Sequence, residues 1–201
     1  MRKFYSICLI LVLAVKAMGQ EDYNKTIFNI KGDLNKDGLA DLVIVKANTN
    51  DKHHPYSLEI LFAKNGGGYE SVFSSLKTVM PKFSDGDERT ELILEKLQIV
   101  KGVLIFTNQR IRGNMTHKFR YQNGNFELIG YINRNAGNEY IDNTEINLST
   151  GLKTVWHEPY GEIKNTPKKV SLEKYKPLPR LQDFIPLGSS HLGRNGVQKE
   201  L

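Results

Sequence analysis

The chain has 201 residues, a single cysteine, 39% hydrophobic residues and a formal charge of +6. That is enough to bury one core of ordinary size and too little for a string of domains. No basic run interleaves with aromatics in the body of the chain, which counts against a nucleic-acid-binding surface as the organising feature.

Met1-Arg2-Lys3 is basic, Phe4 to Val15 is apolar, and Ala17-Met18-Gly19 puts small residues at the two positions a signal peptidase reads. The apolar run falls well short of the roughly 20 residues a membrane-spanning helix needs, and Lys16 ends it. Residues 1–19 are therefore expected to be a signal peptide, with Gln20 as the mature N-terminus. Ile7 stands where a lipoprotein signal wants a small residue, so Cys8 is not expected to be lipidated. Removing Arg2, Lys3 and Lys16 leaves 25 basic residues against 22 acidic ones, so +6 becomes +3. Residues 20–151 carry 16 basic and 17 acidic residues, and 152–201 carry 9 and 5, so the excess lies in the C-terminal part. The mature chain has no cysteine, which removes disulfides, thiol nucleophiles and thiolate metal sites together. For an exported protein this points to a bacterial envelope, with a periplasmic or secreted location.

The next stretch is the most informative. Gly32-Asp33-Leu34-Asn35-Lys36-Asp37-Gly38-Leu39-Ala40-Asp41 leads directly into Leu42-Val43-Ile44-Val45. Oxygen donors stand at Asp33, Asn35, Asp37 and Asp41, with the Leu39 carbonyl as a fifth. Calcium takes about six to eight oxygens at about 2.3–2.6 Å, so the chain must curl until alternate side chains converge, and a glycine after the third donor permits the turn. The stretch is not an EF-hand: the twelfth position from Asp33, where that motif places a bidentate Glu, is Ile44, and a strand rather than a helix follows. It resembles the calcium loops of FG-GAP/VCBS-type repeats, known from integrin α-chain propellers. That resemblance covers about fourteen residues and occurs once, so it implies the ligand roles of Asp33, Asn35, Asp37, Leu39 and Asp41 for Ca2+ and no propeller. The competing reading is a loop whose Asp and Asn side chains cap the backbone as Asx-turns.

Beyond it, β patterns repeat. Thr26 to Ile30 and Leu42 to Ala47 flank the loop. Ser57 to Ala63 and Tyr69 to Ser74 flank the turn Asn65-Gly66-Gly67-Gly68. Residues 88–100 are ambiguous between helix and strand, with strand favoured from about Leu94, because Lys101-Gly102 and Val103 to Phe106 supply a turn and a β-rich return. Arg112-Gly113-Asn114 reads as a turn. Thr116 to Gln122 then alternates, with His117, Phe119 and Tyr121 on one face. Asn123-Gly124 is the strongest hairpin signal, since a type I′ turn needs positive φ at both central residues. Phe126 to Ile132 returns, Asn133 to Asn138 is expected to loop, and Tyr140 to Leu148 pairs with Lys153 to His157 around Ser149-Thr150-Gly151. Over most of residues 25–157 this order and spacing are similar to uncharacterised exported bacterial proteins that also open with a Gly-Asp-Leu-Asn loop; the similarity implies a shared fold and no known activity. After Trp156 the composition turns to Pro, Lys, Gly and Ser. Leu178, Leu181, Phe184, Ile185 and Leu187 are expected to dock as an extended strap, with disorder from Gly188.

The expected protein is thus mostly β, an antiparallel sheet, sandwich or barrel-like single domain built from hairpins, with room for one short helix. It comprises a signal peptide (1–19), a β-domain (20–160) with the calcium loop at 33–41, and a partly disordered Pro/Lys-rich extension (161–201). No nucleophile elbow, P-loop or dinucleotide fingerprint is present, and His157-Glu158 runs into Pro159-Tyr160 rather than completing a zinc-protease motif. No catalytic residue is assigned. Asp51, His53 and His54 make a weak metal candidate, because adjacent residues on a strand point apart. Asp85-Gly86-Asp87-Glu88 is a second acidic cluster whose default reading is a solvated turn, and His117 reads as a core histidine. Tyr121, Phe126, Tyr131, Tyr140 and Trp156 read as core packing before they read as a binding face. The functional expectation is a monomeric calcium-stabilised module binding an envelope or extracellular protein or a glycan, with no nucleic acid and no transmembrane segment. A hydrolase with dispersed Asp, Glu or His residues, and an inhibitor or immunity-type protein for an envelope enzyme, are the alternatives.

Overall fold

The computed structural model describes residues 23–83, 90, 92–161 and 166–187, together with the backbone of 190–192 and 198–200. The signal peptide and the Asp85-Glu88 cluster lie outside the described residues. Four strands, β1 (Lys25–Gly32), β2 (Asp41–Ala47), β3 (Tyr56–Ala63) and β4 (Tyr69–Ser75), form one antiparallel sheet in the order β1-β2-β3-β4. Seven more form a second sheet: β5 (Leu92–Val100), β6 (Val103–Arg110), β7 (Gly113–Gln122), β8 (Asn125–Ala136), β9 (Tyr140–Asn147), β10 (Leu152–Pro159) and β11 (Lys169–Leu172). Within each sheet every strand pairs with its neighbour in sequence, so both sheets are meanders. The larger is open, with β5 and β11 at its edges, and the architecture is that of a β-sandwich. No strand-crossing barrel closure and no α-helix occurs among the described residues; a single 3-10 turn spans Leu181–Asp183.

The alternation in the sequence accounts for the layers. Along β2, Asp41, Val43, Val45 and Ala47 are buried while Leu42, Ile44 and Lys46 turn outward. Leu58 and Ile60 of β3 and Phe73 of β4 extend that inner face. From the larger sheet, Leu97, Leu104, Phe106, Met115, Phe119, Phe126 and Leu128 join the same buried cluster. Phe62 crosses the gap, its ring 4.9 Å from Tyr121 and 6.1 Å from Phe126. The sheets adjoin where β1 runs beside β5: a Cβ on Gly32 would lie 2.7 Å from Ile99 Cγ2, so any side chain there would force the Ile99 side chain to shift.

Residues 92–100 are strand throughout, two residues earlier than the pattern suggested. Asn123 and Gly124 (φ 53° and 73°) both take the positive φ expected of them, and Lys101 and Gly102 (φ 51° and 74°) make their expected turn with positive φ at both residues as well. Two sequence expectations fail nearby. The turn at Arg112-Gly113-Asn114 is shorter, because Gly113 already pairs with Arg110 and Asn135, and the expected loop from Asn133 is strand as far as Ala136. The polar run Asn133-Arg134-Asn135 lacks an apolar alternation, yet β7 on one side and β9 on the other satisfy its backbone.

The C-terminal extension adds to this body. β11 extends the larger sheet, and the chain then runs back across it, with Tyr175, Leu181 and Phe184 buried in the core. Leu128 N–H donates to Pro179 O (2.8 Å), and the backbones of Glu127 and Arg180 form an isolated antiparallel β-bridge. Phe184 packs edge-on to His117 (4.7 Å) and Phe119 (5.1 Å), while Ile185 faces solvent at 40% exposure. The strap thus roofs the part of the seven-stranded sheet that the four-stranded one leaves uncovered. β12 (Ser190–Leu192) and β13 (Gln198–Glu200) pair as a small hairpin, in the stretch expected to be disordered.

Candidate functional site

The oxygen-rich loop joins β1 to β2, starting from the Gly32–Asp41 register pair. It curls because Lys36 (φ 66°) and Gly38 (φ 86°) both take the left-handed conformation. Asp33 organises the curl: Oδ1 accepts the Lys36 N–H (2.6 Å) and Oδ2 the Gly38 N–H (3.0 Å). Asn35 Oδ1 accepts the Asp37 N–H (3.1 Å), and its amide donates to Asp37 Oδ2 (2.8 Å). Asp37 Oδ1 in turn accepts the Leu39 N–H (2.8 Å). These are Asx-type bonds, in which short polar side chains satisfy amide groups that no strand pairing reaches.

Asp41 behaves differently. It is fully buried; Oδ2 accepts the Leu34 N–H (2.7 Å) and Oδ1 the Ala63 N–H at the end of β3 (3.0 Å). The same carboxylate therefore holds both the loop and the third strand. Leu34, also fully buried, plugs the hydrophobic core from the loop. On the far side, the position a Cβ would take on Gly102 in the β5–β6 turn lies 3.4 Å from Asp33 O and 3.7 Å from the Lys36 stem. The loop thus wedges into the seam between the sheets.

The residues present meet calcium's demands in part. Asp33, Asn35 and Asp37 gather hard oxygens along one curled stretch, but their oxygens are turned onto backbone N–H groups. Among the described residues no three acids or histidines converge as a metal-holding group. Each carboxylate oxygen keeps a second lone pair, so an ion would have to share donors with the turn or displace part of its bonding.

The other expected sites separate. His53 Nδ1 meets Phe83 O (3.1 Å), Asp51 Oδ1 accepts the His53 N–H (2.7 Å), and His54 packs its ring on Phe83 (5.2 Å). The two rings serve to anchor a loop and do not converge. Phe126 and Tyr131 are buried and Tyr121 is partly so, whereas Tyr140 stands 38% exposed. His117 is fully buried with neither ring nitrogen hydrogen-bonded, and burial pulls its pKa down to about 4.

No family model, curated protein or solved structure matches this chain. The site must accordingly be read from its own geometry.

One arrangement escaped the sequence. His157 of β10 lies opposite Asp142 of β9, with Nδ1 2.6 Å from Asp142 Oδ1, and the Tyr140 ring lies 4.7 Å from the imidazole. Both partners are partly exposed. Among the described residues no hydroxyl bonds to this ring; Thr166 bonds only to the His157 backbone. The pair is one orienting contact without a nucleophile. Only the strand register, not spacing along the chain, brings its members together.

Proposed function

We propose that this chain is an exported β-sandwich binding module, stabilised by calcium at the Asp33–Asp41 loop, whose partner is an envelope or extracellular protein or a glycan. The reading is carried by the position of the loop. Four oxygen-bearing side chains are concentrated at the seam of the two sheets, with Asp41 buried beneath them and bound to β3. Charge there is concentrated where it affects the fit of one sheet on the other, and a cation would relieve repulsion between Asp33 and Asp37. Asp33, Asn35, Asp37 and the Leu39 carbonyl would supply the accessible oxygens, with Asp41 below them. Calcium would contribute folding free energy by binding the native state alone. Millimolar extracellular calcium suits loops with dissociation constants of about 10⁻⁴ to 10⁻³ M.

Binding rather than catalysis is favoured because the space between the sheets is filled by side chains. The strongly shifted histidine is sealed among aromatic rings rather than lining a cleft. The test is calorimetric and thermal titration of calcium into metal-stripped protein beside Asp37→Ala. A saturable rise in melting temperature, lost in the variant and weak with magnesium, is expected. An equal response in the variant, or none in either protein, would leave the loop a backbone-capping turn.

A further inference from the structure

A shallow cavity of about 260 Å³ opens at the far end of the larger sheet, remote in sequence from the acidic loop. One wall is the β9–β10 turn, Ser149-Thr150-Gly151, and the other is the strap segment bearing Lys174 and Lys176. The two walls are fixed to each other. Glu173 N–H donates to Gly151 O (2.7 Å), and a Cβ on Gly151 would come within 2.3 Å of Glu173 O. Beyond Glu173, Tyr175 is buried in the core while its neighbours Lys174 and Lys176 are both exposed and both line the cavity.

The charges are not balanced locally. Glu173, the nearest acid in sequence, pairs with Lys153 (3.4 Å) and accepts the Tyr175 hydroxyl (2.8 Å). Among the described residues neither Lys174 nor Lys176 has an ion-pair partner, and no acid lines the cavity. The turn opposite has donors to spare. Thr150 is occupied by Asn147, but the Ser149 amide and hydroxyl have no hydrogen-bond partner among the described residues. Two lysines and an unused N–H and O–H thus line one cavity, the donor set a tetrahedral oxyanion requires: several donors, net positive charge and no competing carboxylate.

We propose that this cavity binds a phosphate or sulfate group, gripped by Lys174 and Lys176 and hydrogen-bonded by Ser149. The inference does not depend on calcium binding at the acidic loop, which lies on different strands. The bound group would belong to a larger molecule, either an anionic lipid headgroup or a sulfated or phosphorylated glycan.

The test is a titration of the whole chain followed by amide NMR, with inorganic phosphate, a sulfated monosaccharide, and vesicles containing phosphatidylglycerol as separate arms. Sodium chloride at matched ionic strength is the control. Saturable shifts at the Ser149, Thr150 and Gly151 amides are expected. They should weaken about tenfold or more in Lys174→Ala/Lys176→Ala, survive in Lys174→Arg/Lys176→Arg, and be unaffected by Lys46→Ala on the other sheet. Vesicle binding lost in the double alanine variant would identify a lipid headgroup as the source; saturation by the sulfated sugar without vesicle binding would identify a glycan. Shifts that grow linearly, that chloride reproduces, or that the double alanine variant leaves unchanged would overturn the proposal.

Discussion

His117 offers a direct measure of how well the strap seals the core. Its ring lies between Tyr131 (5.1 Å) and Phe184 (4.7 Å), and Phe106 stands opposite it on β6. Arg110 is close enough to act on the Tyr131 hydroxyl, but the His117 shift comes from burial. Desolvation lowers the folded-state pKa from 6.5 to about 4, so the neutral ring fits the fold and the charged ring opposes it. Stability from this group is complete above pH 6.5, falls as the pH drops from 6.5 towards about 4, and changes no further below that. A gap of about 2.5 in pH at about 1.4 kcal/mol each amounts to a loss of about 3 kcal/mol. Carboxylates also titrate towards pH 4, so the informative quantity is a difference between two proteins. His117→Leu removes the titrating ring at similar size. Urea unfolding of both proteins from pH 7.5 to 4.5 should show the wild type losing stability relative to the variant, beginning near pH 6.5. Parallel curves, or an NMR titration placing His117 near its ordinary value, would refute the burial argument.

Two further substitutions probe the seam and the strap. Asp41→Ala leaves the buried N–H groups of Leu34 and Ala63 without an acceptor, and should cost about 2–4 kcal/mol in chemical denaturation. Asp41→Asn should recover part of that loss by keeping one oxygen. Gly151→Ala forces a side chain onto Glu173 O at a residue with φ 79°; a cost of about 1–3 kcal/mol is expected, with faster hydrogen exchange at the Glu173 amide as its local signature.

The fold was largely legible because half-buried antiparallel strands write their layering into alternate residues. Leu42 to Ala47 and Ser57 to Ala63 could be read as strands, His117-Lys118-Phe119 could be assigned its faces, and the two dipeptides ending in Gly102 and Gly124 fixed their hairpins. What failed was strand length where side chains are polar on both faces. Asn133-Arg134-Asn135 is strand because its neighbours on β7 and β9 need hydrogen-bond partners, a demand no local pattern displays. At the loop the donor residues were legible, but their bonding was not. The sequence could not tell that Asp41 would turn inward to join Leu34 and Ala63, since Ala63 is 22 residues away. His157 and Asp142 were hidden for the same reason, as was the cavity beside Gly151, whose second wall comes from the strap.

The strand order also bears on how the molecule comes into being. Because each strand lies next to the one made before it, both sheets can grow by adding neighbours as the chain emerges, without waiting for distant segments. The roof over His117 and Phe119 is the exception, since Leu181 and Phe184 come near the end of the chain. Until they arrive, an aromatic surface remains open. Chains cut short before Leu181 would be left with assembled sheets and an uncovered apolar face, a species prone to associate with others like it.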